Sequence, residues 1–228
     1  MRLSLSLDTL VEDLAAFLRA LRLAPAHLVG ASNGAVVCLL LALTHRRLVR
    51  TLVLAEPPLL SLLGVSVPPR PSQILRLLVR DPRAAMAVVR FGATTIGPAR
   101  RALERGDDEQ GVQIFAAGVL GRQAAAILSD VMRQQSRDNV KAFKARLRAG
   151  FPPIGSDDVR RIHVPTLLVT GEHSAPILHR IGDTLQRLLP QAERHEIRHA
   201  SHLRYDTHAG AFNAAVLEFL ARHAAMQA

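Results

Sequence analysis

Three residue types that together make an activated nucleophile occur along this chain as Ser32, Glu56 and His202. A serine hydroxyl attacks a carbonyl only when a base takes its proton. The base is normally a histidine, oriented and stabilised by a carboxylate. Ser32 lies in Leu28-Val29-Gly30-Ala31-Ser32-Asn33-Gly34-Ala35. An apolar run leads into this stretch and a helical pattern leads out, so it reads as strand, sharp turn and helix, a Gly-x-Ser-x-Gly elbow. Gly30 and Gly34 are expected to keep side chains out of a turn where strand and helix nearly touch, with Ser32 in a tight backbone conformation. The Asn33 backbone amide, at the helix N-terminus, would face a developing oxyanion.

Glu56 ends the apolar run Thr51–Ala55 and precedes Pro57-Pro58. His202 follows the last short strand, in Ala200-Ser201-His202, and His199 is its nearby competitor. Ten histidines are present, so position rather than residue type singles out His202. Glu172, in Gly171-Glu172-His173-Ser174, is a second carboxylate at a strand end. His199, His202 and His208 are close in sequence, but no thiolate or carboxylate arrangement beside them resembles a zinc signature. The elbow has neither the spacing nor the lysine of a P-loop. No metal and no cofactor is expected.

These side chains need a frame. Asp8 to Leu23 reads as an amphipathic helix with Leu10, Val11, Leu14, Phe17, Leu18 and Leu21 at helical spacing, started by Asp8 and ended by Pro25. A short strand at His27–Val29, a buried helix from Ala35 to Leu43 and a strand at Thr51–Ala55 follow. Residues 57–165 change character. Prolines cluster at their ends, and helical patterns run at about 73–91, 98–105, 109–133 and 136–148, with no convincing strand between them. Strand–helix alternation then resumes: strand Thr166–Thr170, helix Pro176–Leu189, strand Ala192–Ile197, and a closing helix from Ala209 to Ala225. The expected fold class is α/β, a mostly parallel sheet with crossover helices. Residues 1–56 and 166–228 make its core, and 57–165 an all-helical insertion. In such sheets reactive groups gather beyond the carboxyl ends of the strands. Ser32, Glu56, Glu172 and His202 all take that position.

Composition narrows the classes of partner. Apolar residues make up 49% of the 228, enough for a sizeable core, and no apolar run reaches the length of a membrane span. The N-terminus lacks a signal-peptide apolar region. The single cysteine, Cys38, excludes an internal disulfide and reads as core, so a cytoplasmic setting is the expectation. The net charge of +10 is concentrated in residues 57–165, which hold 17 basic and 9 acidic side chains. A nucleic-acid surface would want those charges on one face with interleaved aromatics, and the chain has 7 Phe, 1 Tyr and no Trp. The expected partner is a small-molecule substrate, not nucleic acid and not a membrane.

In Val29-Gly30-Ala31-Ser32-Asn33-Gly34, Leu54-Ala55-Glu56-Pro57-Pro58, Val164 to Glu172, Ala200-Ser201-His202 and Ala211 to Leu220 the chain resembles the α/β-hydrolase fold superfamily. The resemblance is to its branch of small esterase-like and cofactor-free haloperoxidase-like proteins, and it covers nearly everything outside 57–165. It implies a Ser–acid–His triad and makes the insertion a helical cap. Two departures follow. The family usually carries its acid in Gly-x-x-Asp after the seventh strand, where this chain has Ser174. Some relatives take the acid from the end of the sixth strand, the place of Glu56, which is favoured here, with Glu172 the alternative. The family's early strands, and the His-Gly-type segment that supplies a second oxyanion donor, have no counterpart before Ser32. The elbow strand is therefore expected near an open sheet edge, with weakened activity, poor solubility or homodimerisation through that edge. The resemblance implies a serine hydrolase of small ester or related acyl substrates. The alternative is a non-catalytic or truncated homologue acting as a ligand-binding or interaction protein.

Overall fold

A computed structural model describes residues 6–121, 125, 130–149 and 153–224. Helix α1, Leu7–Ala20, starts at Ser6, whose hydroxyl accepts from the Thr9 amide at 3.1 Å. The cap is thus Ser6, not Asp8. The helix ends well before Pro25: Arg22 turns left-handed at φ 56°, its amide donates to the Arg19 carbonyl, and the Leu23 amide closes onto the Leu18 carbonyl at 2.9 Å. This is a Schellman termination, set by backbone hydrogen bonding rather than by a proline block. Leu7, Val11, Ala15 and Leu18 face the core, while Phe17 and Leu21 stay exposed. The apolar stripe is wider than the surface that covers it.

Strand β1, Ala26–Ala31, leads through Ser32 into α2, Asn33–Thr44. Helix α2 is apolar all round because it is sandwiched: α1 packs on one side and β1 and β2 on the other. Cys38 is buried in it. Strand β2, Val49–Ala55, is buried along almost its whole length. After it come α3, Pro71–Arg80; α4, Pro82–Phe91; a π-helical stretch Gly92–Ile96; α5, Gly97–Glu104; α6, Asp108–Leu120; α7, Asp130–Asp138; α8, Val140–Ala149; and α9, Ser156–Arg160. Part of the helical pattern at 109–133 lies outside the described residues. Phe115 on α6 meets Phe143 on α8 edge to face, centroids 4.8 Å apart. The Ser61 hydroxyl donates to the Ile154 carbonyl at 2.8 Å, tying the two ends of this helical region together.

The chain then returns to the sheet through β3, Thr166–Gly171, which is buried throughout, followed by α10, Pro176–Leu188, and β4, Glu193–Ile197. A single turn α11, Arg204–Thr207, and α12, Ala209–Ala224, complete the described chain. Residue 225, the expected end of the closing helix, lies outside the described residues.

The four strands are parallel in the order β1-β2-β3-β4. The register pairs Ala31 with Ala55, Ala55 with Val169, and Gly171 with Ile197, which aligns the carboxyl ends of all four. Leu52, Leu54 and Leu168 face the core built with α1, α2 and α10, whereas Val53, Ala55, Leu167, Val169 and Ile197 pack against Phe212, Val216 and Phe219 of α12. Continuous apolar runs in β2 and β3 follow from this two-sided burial. The elbow strand β1 is an edge of the described sheet, and Val29 on it is 47% exposed.

Candidate active site

The turn between β1 and α2 holds Ser32 at φ 52°, ψ −121°, a conformation that costs a non-glycine residue on the order of 1–3 kcal/mol. Two sets of hydrogen bonds hold it there. The Ser32 amide donates to the Ala55 carbonyl on β2 at 2.9 Å, and the Ser32 carbonyl accepts from the Ala35 amide at 3.0 Å. Gly30 makes the turn sterically possible: a Cβ there would lie 2.6 Å from the Gly34 carbonyl oxygen and 2.7 Å from the Ala35 backbone. Gly34 plays no such part, since a Cβ on it would meet nothing within 4 Å. The close approach is one-sided, because the α2 backbone turns over Gly30 while Gly34 faces outward. Ser32 is half-buried and Asn33 exposed. Asn33 opens α2, so its amide is among those left without an intrahelical acceptor and points out of the helix N-terminus.

Glu56, one residue beyond β2, is also left-handed at φ 49° and is only 3% exposed. Its carboxylate is held from three sides. The Gly171 amide at the end of β3 donates to Oε1 at 2.9 Å, His202 Nδ1 lies 2.7 Å from Oε2, and the Arg204 guanidinium pairs with the same oxygen. Burial alone would push the Glu56 carboxyl up. The His202 hydrogen bond, the charges of Arg204 and His202 and the nearby Ser174 hydroxyl outweigh it and bring the group down to about 2. An ionised carboxylate only accepts, so Nδ1 of His202 carries the hydrogen and Nε2 is left as the basic nitrogen. Neither Nε2 of His202 nor Oγ of Ser32 makes a hydrogen bond among the described residues. The His202–Glu56 contact is formed, and no hydrogen bond joins His202 to Ser32 among the described residues.

The loop carrying His202 reaches Glu56 because β3 ends in glycine. A Cβ on Gly171 would lie 2.6 Å from the carbonyl oxygens of both Ala200 and Ser201. The His173 amide donates to the Ala200 carbonyl at 2.8 Å and the Glu172 amide to the Ile197 carbonyl at 3.0 Å, locking the two loops together. Glu172 faces the other way. It is exposed, its Oε2 accepts the His199 amide at 2.6 Å, and its pKa is lowered chiefly by that bond. His199 is exposed too. The two histidines of this loop thus point to different carboxylates, His202 to Glu56 and His199 to Glu172.

Arg204 is the residue that sequence reasoning missed. It is fully buried, two positions after His202, and its Nε and Nη1 have no hydrogen-bond partner among the described residues. Its Nη2 also reaches the Ser174 hydroxyl at 3.5 Å. Desolvation lowers the Arg204 pKa and Glu56 opposes that. Ser174, at the place where the resemblance leads one to expect an aspartate, is buried beside this ion pair. An acid there would put a second carboxylate next to Glu56. The only sequence signal for Arg204 was its spacing from His202, which says nothing of burial.

A concavity of about 570 Å³ lined by Leu62, Leu77, Arg80, Arg83 and Arg187 lies elsewhere and touches none of Ser32, Glu56 or His202.

The sequence pattern of the "Alpha/beta hydrolase family" matches residues 2–215. The chain belongs to that family. Solved structures give the same answer for the fold. The carboxylesterase CesB (YbfK) from Bacillus subtilis aligns with TM-score 0.64 at 20% identity, over 94% of this chain and 66% of that one. MenH from S. aureus aligns with TM-score 0.66 at 18% identity, over 98% and 78%. A bromoperoxidase from Bacillus anthracis aligns with TM-score 0.60 at 20% identity, over 94% and 74%. The chain therefore spans about two thirds of the length of the carboxylesterase. Among curated proteins none matches. As an α/β hydrolase, this chain has its elbow on an edge strand of the described sheet and its buried carboxylate at the end of the neighbouring strand. No helix among the described residues is long and apolar enough to cross a membrane.

Proposed function

We propose that this α/β hydrolase is a serine hydrolase of small ester or related acyl substrates. Ser32 Oγ attacks the carbonyl carbon while His202 Nε2 takes its proton. The resulting oxyanion faces the Asn33 amide, and Glu56 stabilises the imidazolium without being protonated. Collapse breaks the ester bond, and His202 returns the proton to the departing alcohol. Water, deprotonated by His202, then attacks the acyl-Ser32; the bond to Oγ breaks with release of the acid, and His202 returns the proton to Ser32 Oγ. The observation that carries the reading is the buried 2.7 Å contact between His202 Nδ1 and Glu56, in a chain whose elbow holds Ser32 at a strained φ of 52°. The helices between β2 and β3 are the segment we assign as the cap that shapes the substrate pocket.

The test is hydrolysis of p-nitrophenyl acetate and labelling by a fluorophosphonate, with Ser32→Ala alongside. Labelling that disappears in the variant supports the reading, and labelling that persists overturns it. A second reading, a non-catalytic member that binds a ligand or partner, draws on the lack of a Ser32–His202 hydrogen bond among the described residues and on the buried arginine that shares Glu56 with His202. Well-folded protein that neither labels nor turns over would favour it. Self-association through β1 is part of the proposal, supported by the edge position of that strand.

A further inference from the structure

Glu172, His173 and His199 were not expected to act together, and the fold brings them together on the surface. We infer that these three residues form a binding site for a divalent transition cation of the zinc class. Their candidate ligand atoms all lie within 4.8 Å of one another. Oε2 of Glu172 lies 3.5 Å from Nδ1 of His199, and the His173 and His199 rings have centroids 6.0 Å apart. Bonds of ~2.0–2.2 Å from nitrogen and oxygen to tetrahedral zinc place neighbouring ligand atoms about 3.3–3.5 Å apart. The carboxylate–imidazole pair already has that spacing. His173, whose side chain is exposed, closes the remainder by rotation.

Two features pre-organise the site. His199 is held left-handed at φ 57°, which aims its ring back over the β3 end. Its amide donates to Oε2 of Glu172 at 2.6 Å, orienting the carboxylate and leaving that oxygen a second lone pair for a cation. Two imidazoles and one carboxylate make a borderline donor set that suits zinc better than calcium or magnesium, which prefer all-oxygen shells. With three protein ligands the fourth position is water. The sequence pattern of a zinc site is absent because the ligands come from two loops, Glu172 and His173 after β3 and His199 after β4. An ion there would tie those loops together, three residues before His202. The inference stands on this geometry and does not depend on the proposed hydrolysis.

The experiment uses the untagged full chain, freed of metal with a chelator. Zinc is titrated by calorimetry, and thermal melting is followed with and without zinc. One zinc per chain is expected, with a rise in Tm. His173→Ala and His199→Gly, the latter keeping the left-handed backbone available, should each weaken binding at least tenfold and abolish the rise. His202→Gln should bind zinc as the parent does. Equal affinity in the parent, His173→Ala and His199→Gly would place the ion elsewhere and overturn the inference. So would the absence of binding up to millimolar zinc.

Discussion

His202 and Glu56 are 146 residues apart in sequence, yet Nδ1 of one lies 2.7 Å from Oε2 of the other, both side chains buried. Glu172 is closer in sequence, but its carboxylate is committed to His199. Glu56→Gln should therefore lower kcat by about 10³–10⁴, because the amide no longer favours the tautomer that leaves Nε2 basic. For Glu172→Gln the loss should be at least tenfold smaller. Steady-state kinetics on p-nitrophenyl acetate decide between them, and equal losses would remove Glu56 from its role.

Acid should remove a stabilising contribution of the Glu56 carboxylate. Its folded pKa, about 2, lies below the ordinary carboxyl value. The unfolded state therefore binds the proton more readily. The stabilisation is fully present above pH ~4.5 and is lost as pH falls from there through about 2. It is on the order of 3 kcal/mol. Urea denaturation at pH 6 and pH 3 should show this drop in the parent protein. Glu56→Gln should be less stable at pH 6 and lack this component of the pH dependence.

The Arg204–Glu56 pair should behave as one unit. Removing either partner leaves a buried, uncompensated charge, and such breaks typically cost about 3–5 kcal/mol. Arg204→Met and Glu56→Gln should each destabilise on that scale, and the double variant should cost clearly less than the sum. Additive losses in denaturant midpoints would mean the two groups do not interact.

Glycine substitutions in the elbow should have unequal effects. Gly30→Ala forces a Cβ into backbone that cannot move without breaking the turn, so stability and labelling of Ser32 should both fall. Gly34→Ala enters open space in the first turn of α2. It should be neutral or slightly stabilising, by up to about 0.5–1 kcal/mol, because alanine loses less entropy on entering a helix. Thermal melting of both variants gives the comparison.

Edge pairing makes a further prediction. If copies associate through β1, Val29→Lys should shift the protein toward monomer in size-exclusion chromatography with light scattering. An oligomeric state unchanged by that substitution would show that β1 is not the contact.

Much was legible before the structure, and for local reasons. Glycine and serine at fixed spacing between an apolar strand and a helix announce the elbow, and two uninterrupted apolar runs announce β2 and β3, because strands buried on both faces carry no alternation. Helix ends were less legible: Ser6 rather than Asp8 caps α1, and Arg22 rather than Pro25 ends it, since competition among nearby hydrogen bonds decides a terminus. Gly34 looked as necessary as Gly30 because spacing shows where a glycine is and not which atoms surround it.

What the residues determined by themselves was the α/β alternation, the serine at its turn and the set of strand-end groups that include Glu56, Glu172, His199 and His202. Which carboxylate meets which histidine was left to the tertiary structure. Parallel register places Glu56 beside the Gly171 amide, and the absence of a side chain on Gly171 lets the His202 loop settle over it. The same packing carries Arg204 out of water and against Glu56. Sequence states a charge, but its neighbours and its solvent are properties of the folded chain alone.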